Sequence, residues 1–328
     1  MNILSGDIGG TKTTLALFES NGSEPRLLVK KTYPSRQYIS LEQVLKEFLA
    51  ENRLKPEVAG FGLAGPVQNG LCKTTNLPWQ IEAARLEQKF GISRVHLLND
   101  LEANAWSIAH LPEKDLYSLH EGKPGAQGNR SIIAAGTGLG EAGLFWDAHQ
   151  HIPFASEGGH ASFSPTTALE IALLEYLQKQ HGQVSWELVV SGQGLINIHD
   201  FMLAHHKATP PDWLAEEMHH GDAAAAISHA AQQERCPICM DALEMFVHLY
   251  GVEAGNHALK IMATGGVYIG GGIAPRILAQ LQKPAFLDGF FAKGDMEALM
   301  REMPVKIILN ADAALYGAAI YAHDRTTA

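Results

Sequence analysis

The chain has 328 residues, of which 46% are hydrophobic, and its formal net charge is −10 at pH 7. This length is enough for a large core and two domains, whereas the negative charge disfavours a nucleic-acid-binding protein. Asp7 and Lys12 interrupt the N-terminal apolar run, so we expect no signal peptide, and no apolar run reaches the roughly 18 residues of a membrane helix. With three cysteines and no disulfide pattern, the cytoplasm is the expected compartment.

The predicted elements alternate between strands and helices in the N-terminal third and are mostly helical later. The predicted strands are 2–7, 13–19, 26–33, 57–62, 70–74, 94–98, 131–136, 141–147, 151–155 and 305–309. The predicted helices are 41–52, 81–90, 100–110 and 311–321, with a mostly helical stretch from 166 to about 260. Glycine and proline between 120 and 130 predict a domain junction or a mobile loop. We therefore expect an α/β protein with a small lobe, 1–110 with 302–328, and a large lobe, 111–301.

Two turns of small residues, far apart in the chain, carry the clearest functional signal. They are Gly6–Thr13 and Ala135–Gly140, and each lies between two apolar, strand-forming runs. A turn without bulky side chains lets backbone N–H groups approach an anion closely. Two such hairpins predict a duplicated architecture with a nucleotide triphosphate between two lobes, and hence a phosphotransferase. The alternative for either hairpin alone is an ordinary glycine turn.

The first turn differs from the commoner nucleotide-binding loops. A P-loop continues from its lysine into a helix, but residues 13–18, which follow Lys12, have the composition of a second strand. No G-x-G-x-x-G sequence follows the first strand, which disfavours a dinucleotide-binding fold. Asp7 precedes the glycines, where a carboxylate can face a hydrated Mg²⁺ on the phosphates.

Asn99-Asp100 follows a buried strand and begins a helix. Open α/β sheets bind their ligands at the carboxyl ends of strands, so Asp100 is a candidate general base. The alternative is a helix cap, because Asn and Asp are both favoured there.

A second candidate cluster surrounds Ser156–His160. Glycines between Glu157 and His160 allow a carboxylate and an imidazole to point into one pocket, where they can bind sugar hydroxyls. The alternative is a glycine turn with two surface side chains. Glu187 is predicted in the first turn of a helix capped by Ser185, where the helix dipole alone would explain an acid.

Two further motifs allow more than one interpretation. Thr75–Trp79 places an amide and an indole in one loop, where Trp79 either stacks on a sugar or packs in the core. Cys236 and Cys239 form a CxxC motif that begins a helix, which favours structural thiols over a metal or redox site.

In this order, the motifs resemble those of the bacterial glucokinases, within the superfamily of hexokinase-, actin- and Hsp70-like proteins. The resemblance covers nearly the whole chain, and the ordered set is specific although each motif is weak alone. The motifs are Asp7–Lys12, Thr75–Trp79, Leu98–Asp100, Gly136–Gly140, Ser156–His160, Glu187 with Ser191-Gly192, and Gly265–Ile273. Glu157-Gly158-Gly159-His160 is similar to the dedicated glucokinase group, since no zinc-binding cysteine cluster follows His160 as it does in the related repressor and kinase family.

The resemblance implies a two-lobed, actin-like ATPase fold of the ribonuclease H-like type, with a cleft between the lobes. It implies ATP-dependent phosphorylation of the 6-hydroxyl of D-glucose with Mg²⁺, with Asp100 as the general base. The implied sugar-binding residues are Asn76, Asn99, Asp100, Glu157, His160 and Glu187. The implied nucleotide-binding residues are Asp7, Gly9, Gly10, Thr11, Lys12, Thr137 and Gly138, with Gly265, Gly266 and Tyr268 near the adenosine. Asp7 is further implied to face the Mg²⁺ through water.

The implied partners are glucose, ATP and a second copy of the chain in a homodimer, without nucleic acid or membrane, in glycolysis. One alternative is the same chemistry on another hexose, such as fructose, mannose or an N-acetylhexosamine, because sugar identity depends on a few hydroxyl contacts. The other is a non-catalytic nucleotide-binding protein of the actin or Hsp70 type. Such a protein would have no use for Asp100, Glu157 and His160 together.

Overall fold

The structure is a computed structural model that describes residues 1–21, 24–52, 54–74 and 77–327. Its contacts divide the chain into two compact units, which are described separately below. The first unit is Met1–Glu113, Ile152–Ala155 and Asn310–Ala328, and the second is Lys114–His151 and Ser156–Leu309. The predicted lobes differ from this division mainly at 302–309, because the strand in that segment pairs within the sheet of the second unit.

The structure contains these strands and helices. The strands are β1 (Asn2–Ile8), β2 (Lys12–Glu19), β3 (Arg26–Pro34), β4 (Val58–Leu63), β5 (Val67–Gln68), β6 (Leu71–Lys73), β7 (Gln80–Glu82), β8 (Arg94–Asn99), β9 (Leu116–His120), β10 (Arg130–Ala135), β11 (Leu139–Trp146), β12 (His151–Ser156), β13 (Gly266–Gly270) and β14 (Val305–Ile308). The helices are α1 (Leu41–Glu51), α2 (Ala83–Phe90), α3 (Asp100–Ser107), α4 (Ala168–His181), α5 (Gly192–His206), α6 (Asp212–His220), α7 (Ala223–Gln232), α8 (Pro237–Ile261), α9 (Leu278–Leu281), α10 (Pro284–Phe291), α11 (Glu297–Glu302) and α12 (Ala313–Thr327).

The first unit is built on a five-stranded sheet in the order β3-β2-β1-β4-β8. β1 runs antiparallel to β2 and parallel to β4, and β4 runs parallel to β8. All six residues of β4 are buried, as expected for a parallel strand covered on both faces. Ile8 pairs with Leu63, and Leu63 pairs with Asn99, so the carboxyl ends of β1, β4 and β8 meet at one edge.

Apolar residues on both faces of this sheet form its core. On one face, Phe48 of α1 packs in a cluster with Phe61, and on the other, Leu315 of α12 packs with Ile3. Gly60 of β4 lies against the carbonyl of Ala318, where a side chain would collide with the backbone of α12. The C-terminal helix thereby packs directly on the central strands.

The second unit is built on five neighbouring strands in the order β11-β10-β13-β14-β9. β10, β13 and β14 are parallel neighbours, and β10 and β11 form an antiparallel hairpin. Its large core includes Ile133 and Ile269 of the sheet, Ile198 of α5 and Phe246 of α8. The small-residue hairpin therefore lies on a well-buried sheet, as it does in the first unit.

Several predicted elements differ in detail from those observed. The predicted helix 81–90 begins as the short strand β7, and the helix from Asp100 ends as an α-helix at Ser107. The glycine-rich segment 120–130, predicted as a domain junction or mobile loop, lies within the second unit between β9 and β10. Among the residues that the structure describes, no helix is long and apolar enough to span a membrane.

Candidate active site

The first hairpin connects β1 and β2 and carries Gly9, Gly10, Thr11 and Lys12. Within it, the N–H of Gly9 donates to the carbonyl of Lys12 at 3.0 Å. Ser35, the residue after β3, holds the loop: its backbone N–H donates to the carbonyl of Thr11 at 3.0 Å, and its hydroxyl donates to the carbonyl of Gly9 at 2.8 Å. Ser35 is fully buried. The loop is therefore held in one conformation by hydrogen bonds that leave its side chains exposed.

Asp7 lies at the end of β1, next to this loop. Burial raises the pKa of its carboxyl to about 6, the nearby charge of Lys12 opposes the rise, and the carboxylate of Asp312 adds to it. Asp312 is itself held by Lys30, at 2.6 Å between Nζ and Oδ2. A divalent cation would offset the burial of this carboxyl, so the environment of Asp7 fits a site that faces a metal ion.

Asn99 and Asp100 lie at the same edge of the sheet as the first hairpin. Oδ1 of Asn99 and Oδ1 of Asp100 each lie 2.9 Å from the N–H of Leu101. Asn99 caps α3, so the cap that was the alternative for this pair is confirmed for Asn99. Asp100 is the first residue of the helix and is half-buried. The register of β1, β4 and β8 thus brings a carboxylate to the edge where the glycine loop lies.

The second hairpin, between β10 and β11, contains Thr137 and Gly138. The N–H of Gly136 donates to the carbonyl of Gly138, and the N–H of Gly192 donates to the carbonyl of Gly136, both at 2.8 Å. Gly192 is the first residue of α5, whose N-cap is Ser191. A helix N-terminus therefore lies against this turn, which favours anion binding there.

Glu187 also supports the second hairpin. Its Oε2 accepts a hydrogen bond from the N–H of Leu139 at 3.0 Å, and a side chain at Gly138 would collide with its carboxylate. The predicted helix around it is a 3-10 turn, Trp186–Leu188, and Ser185 makes no side-chain cap hydrogen bond there. The position of Glu187 is therefore explained by its contact with the hairpin rather than by a helix dipole.

Glu157 and His160 lie on an adjacent turn. Gly158–His160 forms a 3-10 turn, and Glu157 is its N-cap residue. Both side chains are exposed. Gly159 lies against the carbonyl of Leu139, where a side chain would collide with the backbone. The structure thus brings Glu157 and His160 to the strand that also contacts Glu187.

A buried acid pair lies behind this turn. Glu141 is 1% exposed and Glu253 is fully buried, and a side chain at Gly158 would collide with the carboxyl of Glu141. Burial and the neighbouring carboxyl of Glu253 raise the pKa of Glu141 to about 8. His257 Nδ1 lies 3.4 Å from Glu141 Oε2, and burial lowers the pKa of His257. An acid that holds its proton near neutral pH therefore supports the backbone under Glu157 and His160.

Gly265, Gly266 and Tyr268 do not lie with the second hairpin. Arg130, at the amino end of β10, pairs with Gly266, whereas the hairpin follows the carboxyl end of β10. The five residues of β13 span roughly 13–16 Å at about 3.3 Å per residue. The predicted adenosine residues consequently lie at the opposite edge of the sheet, because a strand separates the two ends of the glycine-rich segment.

The other end of that segment lies beside the hairpin. Gly271 has a positive φ of 82° and lies against the backbone of Ala135, and the space beside Gly272 is open. The N–H of Ile273 donates to the carbonyl of Ala135 at 3.3 Å. Gly271 and Gly272 are therefore the glycines of this segment that a nucleotide at the hairpin can approach.

The remaining predictions have different outcomes. Asn76 lies outside the described residues. Trp79 is 2% exposed, and its indole N–H donates to the carbonyl of Tyr38 at 3.2 Å, so it packs in the core. Cys236 and Cys239 are buried, and no group of three or more candidate metal ligands occurs in the described part of the chain.

Sequence reasoning missed the residues that hold the site together. Ser35 and Asp312 act in the first unit, and Glu141 acts with Glu253 in the second. Ser35 follows an ordinary strand, and Glu141 and Glu253 are far apart in the chain, so no local pattern identifies them. The double glycine at Gly271 was visible in the sequence, but choosing it over Gly265 required the register of β13.

Comparison with known proteins identifies the family. The family model described as Glucokinase matches residues 4–325. A glucokinase of Nostoc punctiforme is 41% identical over 335 residues, covering 98% of each chain. A crystal structure of glucokinase from an Antarctic psychrotroph superposes with a TM-score of 0.85 at 31% identity, covering 98% of this chain and 99% of that one.

A more distant structure supports the fold. A ROK family glucokinase from Streptomyces griseus, solved in complex with glucose and AMPPNP, superposes with a TM-score of 0.64 at 21% identity, covering 99% of this chain and all of that one. The predicted actin-like ATPase fold is thereby confirmed. The chain belongs to the glucokinase family, and with it to the enzymes that transfer a phosphoryl group to a sugar.

Proposed function

We propose that the chain transfers the γ-phosphoryl group of ATP to the 6-hydroxyl of D-glucose, with Asp100 as the general base. The observation that carries this proposal is the register of β1, β4 and β8, which puts Asp100 and the Gly9–Thr11 loop at one edge of one sheet. Phosphoryl transfer depends mainly on positioning and on stabilising charge, with one group to orient the attacking hydroxyl. That edge supplies a candidate base next to a glycine turn of the kind that can approach a phosphate closely.

In the proposed step, Asp100 accepts the proton of the sugar 6-hydroxyl. The hydroxyl oxygen attacks the γ-phosphorus of ATP, and ADP leaves. The nearby thiol of Cys72 does not compete as a nucleophile. Burial and the carboxylate of Asp100 raise the pKa of Cys72 to about 11, so the thiol stays protonated at neutral pH. Asp100 is then the member of this pair that is proposed to act on the sugar.

Recognition of the sugar is assigned mainly to residues of the second unit. Glu157 and His160 lie at the two ends of one 3-10 turn, Glu157 as its N-cap and His160 as its last residue. A carboxylate and an imidazole together can accept hydrogen bonds from hydroxyl groups and donate to them. Glu187 joins them through its contact with Leu139. Asn99 and Asn76 complete the proposed sugar-binding set, with Asn99 oriented by its cap on α3.

The phosphates of ATP are assigned to the two glycine hairpins, with Lys12 and Thr137 exposed beside them. Mg²⁺ bound to ATP would neutralise charge on the phosphates. Asp7 is the residue proposed to face it, since the burial of that carboxyl is offset by a cation. We assign the adenosine to Gly271 and Gly272 in place of Gly265, Gly266 and Tyr268, because of the edge at which they lie.

The cytoplasm, a role in glycolysis, the two units as the working lobes, and the homodimer remain proposals. The free thiols Cys72, Cys236 and Cys239 suit a reducing compartment. Sedimentation equilibrium would test the homodimer.

The substrate is tested by a coupled assay of ADP release against glucose, fructose, mannose and N-acetylglucosamine. We expect the highest kcat/KM for glucose, because a site built to bind a hydroxyl strongly rejects an analogue that lacks it. A higher kcat/KM for another hexose would show that this hexose is the substrate of the same mechanism. ADP release at the same rate without any sugar would contradict the proposed activity.

A further inference from the structure

A cavity of about 280 Å³ lies at the amino ends of β10 and β13 in the second unit. Its lining includes Lys123, Arg130, Tyr268 and Lys306, with Glu121 as an acidic member. The six residues of β10 separate it from the Gly136–Gly138 turn, a distance of roughly 16–20 Å at about 3.3 Å per residue. The cavity is therefore separate from the hairpin assigned to the phosphates of ATP.

Three of the lining side chains converge. Tyr268 pairs in register with Lys306 of the adjacent parallel strand, so their side chains lie on one face of the sheet. The guanidinium of Arg130 lies over the Tyr268 ring, at 5.8 Å from its centroid. Gly265 and Gly266 also line the cavity. Two cations and a phenol thus line one small volume.

The positive charge of this cavity is only partly compensated. Lys123 pairs with Glu302 at 3.4 Å. Arg130 and Lys306 form no ion pair within 4.0 Å with any residue that the structure describes, and the buried Nε of Arg130 has no hydrogen-bond partner among them. A buried, unpartnered donor is costly and calls for an acceptor. An anion in the cavity would supply one.

We propose that this cavity binds the phosphate group of a small metabolite. Arginine matches the oxygens of a phosphate with two parallel hydrogen bonds, and lysine adds a second charge. The volume is at the low end for ligand pockets, which suits a free phosphate or a small phosphate ester better than a nucleotide. Tyr268 and Gly266 then serve this second site rather than the adenosine.

Isothermal titration calorimetry tests the proposal with inorganic phosphate and glycerol 3-phosphate as probes. We expect one probe molecule to bind per chain, and Lys306→Gln and Arg130→Gln each to weaken binding about ten- to hundredfold, the effect of losing one charge-assisted hydrogen bond. Tighter binding of the ester than of free phosphate would identify a metabolite as the source, and equal affinities would identify the free ion.

Two control variants separate this site from others. Lys46→Gln removes an exposed charge on α1, and Lys12→Gln removes the cation of the first hairpin; both should keep the wild-type affinity for the probes. Lys306→Gln should also keep turnover within about twofold, which shows that it folds even if Arg130→Gln does not. No binding by the wild type, equal binding by Lys306→Gln, or loss of binding in Lys12→Gln alone would overturn the proposal.

Discussion

The two glycine hairpins have similar sequences and sheet positions but are held in different ways. The β1–β2 loop is fixed by a neutral hydroxyl, that of Ser35, and is flanked by two ionisable groups, Asp7 of β1 and Lys12 of β2. The β10–β11 loop has no ionisable side chain between Gly136 and Gly140 and is fixed by the carboxylate of Glu187 and the N-terminus of α5.

The two hairpins also lie next to different candidate site residues. The first shares its edge with the proposed base, Asp100, and the second with the proposed sugar ligands, Glu157 and His160. The comparison suggests that the first unit supplies chemistry and the second supplies recognition. It predicts that substitutions in the first unit will mainly lower turnover, whereas substitutions in the second unit will mainly lower the affinity for glucose.

The largest expected effect is that of Asp100→Asn. Removing a general base should lower turnover by about 10²–10⁴-fold, while glucose affinity changes little because the amide keeps most of the hydrogen bonds. Steady-state kinetics and calorimetric titration of glucose measure the two quantities. Glu102→Gln neutralises a nearby acid of the same helix and is the matched control, which should keep most of the turnover. A folded Asp100→Asn enzyme with nearly wild-type turnover would break the comparison.

Glu157→Gln should show the opposite pattern. Loss of a hydrogen bond to a charged group costs about 1.5–3 kcal/mol, so glucose affinity should fall about 10- to 150-fold while ATP affinity changes little. Titration of each ligand separately gives the two affinities.

Glu187→Gln sharpens this result. Glu187 binds the N–H of Leu139 and, in our proposal, also the sugar. Glu187→Gln should therefore lower the affinity for both glucose and ATP. An equal loss of glucose and ATP affinity in Glu157→Gln would instead indicate a general structural role for that residue.

Ser35→Ala tests how the first hairpin is held. It removes the hydroxyl bond to Gly9 and leaves buried polar groups unsatisfied, at a cost of about 1–3 kcal/mol. If part of this cost falls on the loop, the KM for ATP should rise about 5- to 30-fold with glucose affinity retained.

A matched control exists in the same unit. The hydroxyl of Ser5 is equally buried and donates to the carbonyl of Leu315 at 2.6 Å, away from the loop. Ser5→Ala should lower the free energy of unfolding without changing the KM for ATP. The same KM in Ser35→Ala and Ser5→Ala would show that the hydrogen bond from Ser35 has no role in nucleotide binding.

The smallest expected effect concerns pH. The pKa of Glu141 is about 8 in the folded chain, above its ordinary value of 4.5, which the unfolded chain should retain. Between these values the folded state binds more protons, so the free energy of unfolding should fall as pH rises from about 4.5 to about 8. Glu253, His257 and Lys260 face the same group and shape the profile.

Glu141→Gln should flatten this dependence. The decrease in calorimetric Tm from pH 5 to pH 9 should be smaller in the variant than in the wild type. A difference of at least about 2–4 °C is expected, the shift that 1 kcal/mol produces in a domain of this size. Parallel profiles in the two proteins would show that Glu141 does not titrate as proposed.

The sequence predicted those features that local patterns encode. Small residues between apolar runs predicted both hairpins. An Asn-Asp pair after a buried strand predicted that Asp100 lies at the carboxyl end of that strand. Features that depend on register or on distant contacts were not predictable. Tyr268 and Gly271 belong to one glycine-rich segment, and only the pairing of β13 with β10 places them at opposite edges.

The support of each loop was equally hidden. Ser35 acts on Gly9 through a hydrogen bond that spans 26 residues. Glu187 reaches Leu139 across 48 residues, and its contact appears only once a 3-10 turn replaces the expected helix. A pattern of residue types therefore locates a site, whereas its rigidity is determined by tertiary contacts.

The most direct test of the account is to follow the products by ³¹P NMR. Wild-type protein, ATP, Mg²⁺ and glucose should yield glucose 6-phosphate and ADP in equal amounts, and Asp100→Asn should form both about 10²–10⁴-fold more slowly. Phosphate on another hydroxyl, inorganic phosphate in place of the ester, or an undiminished rate in Asp100→Asn would contradict a transfer to the 6-hydroxyl directed by Asp100.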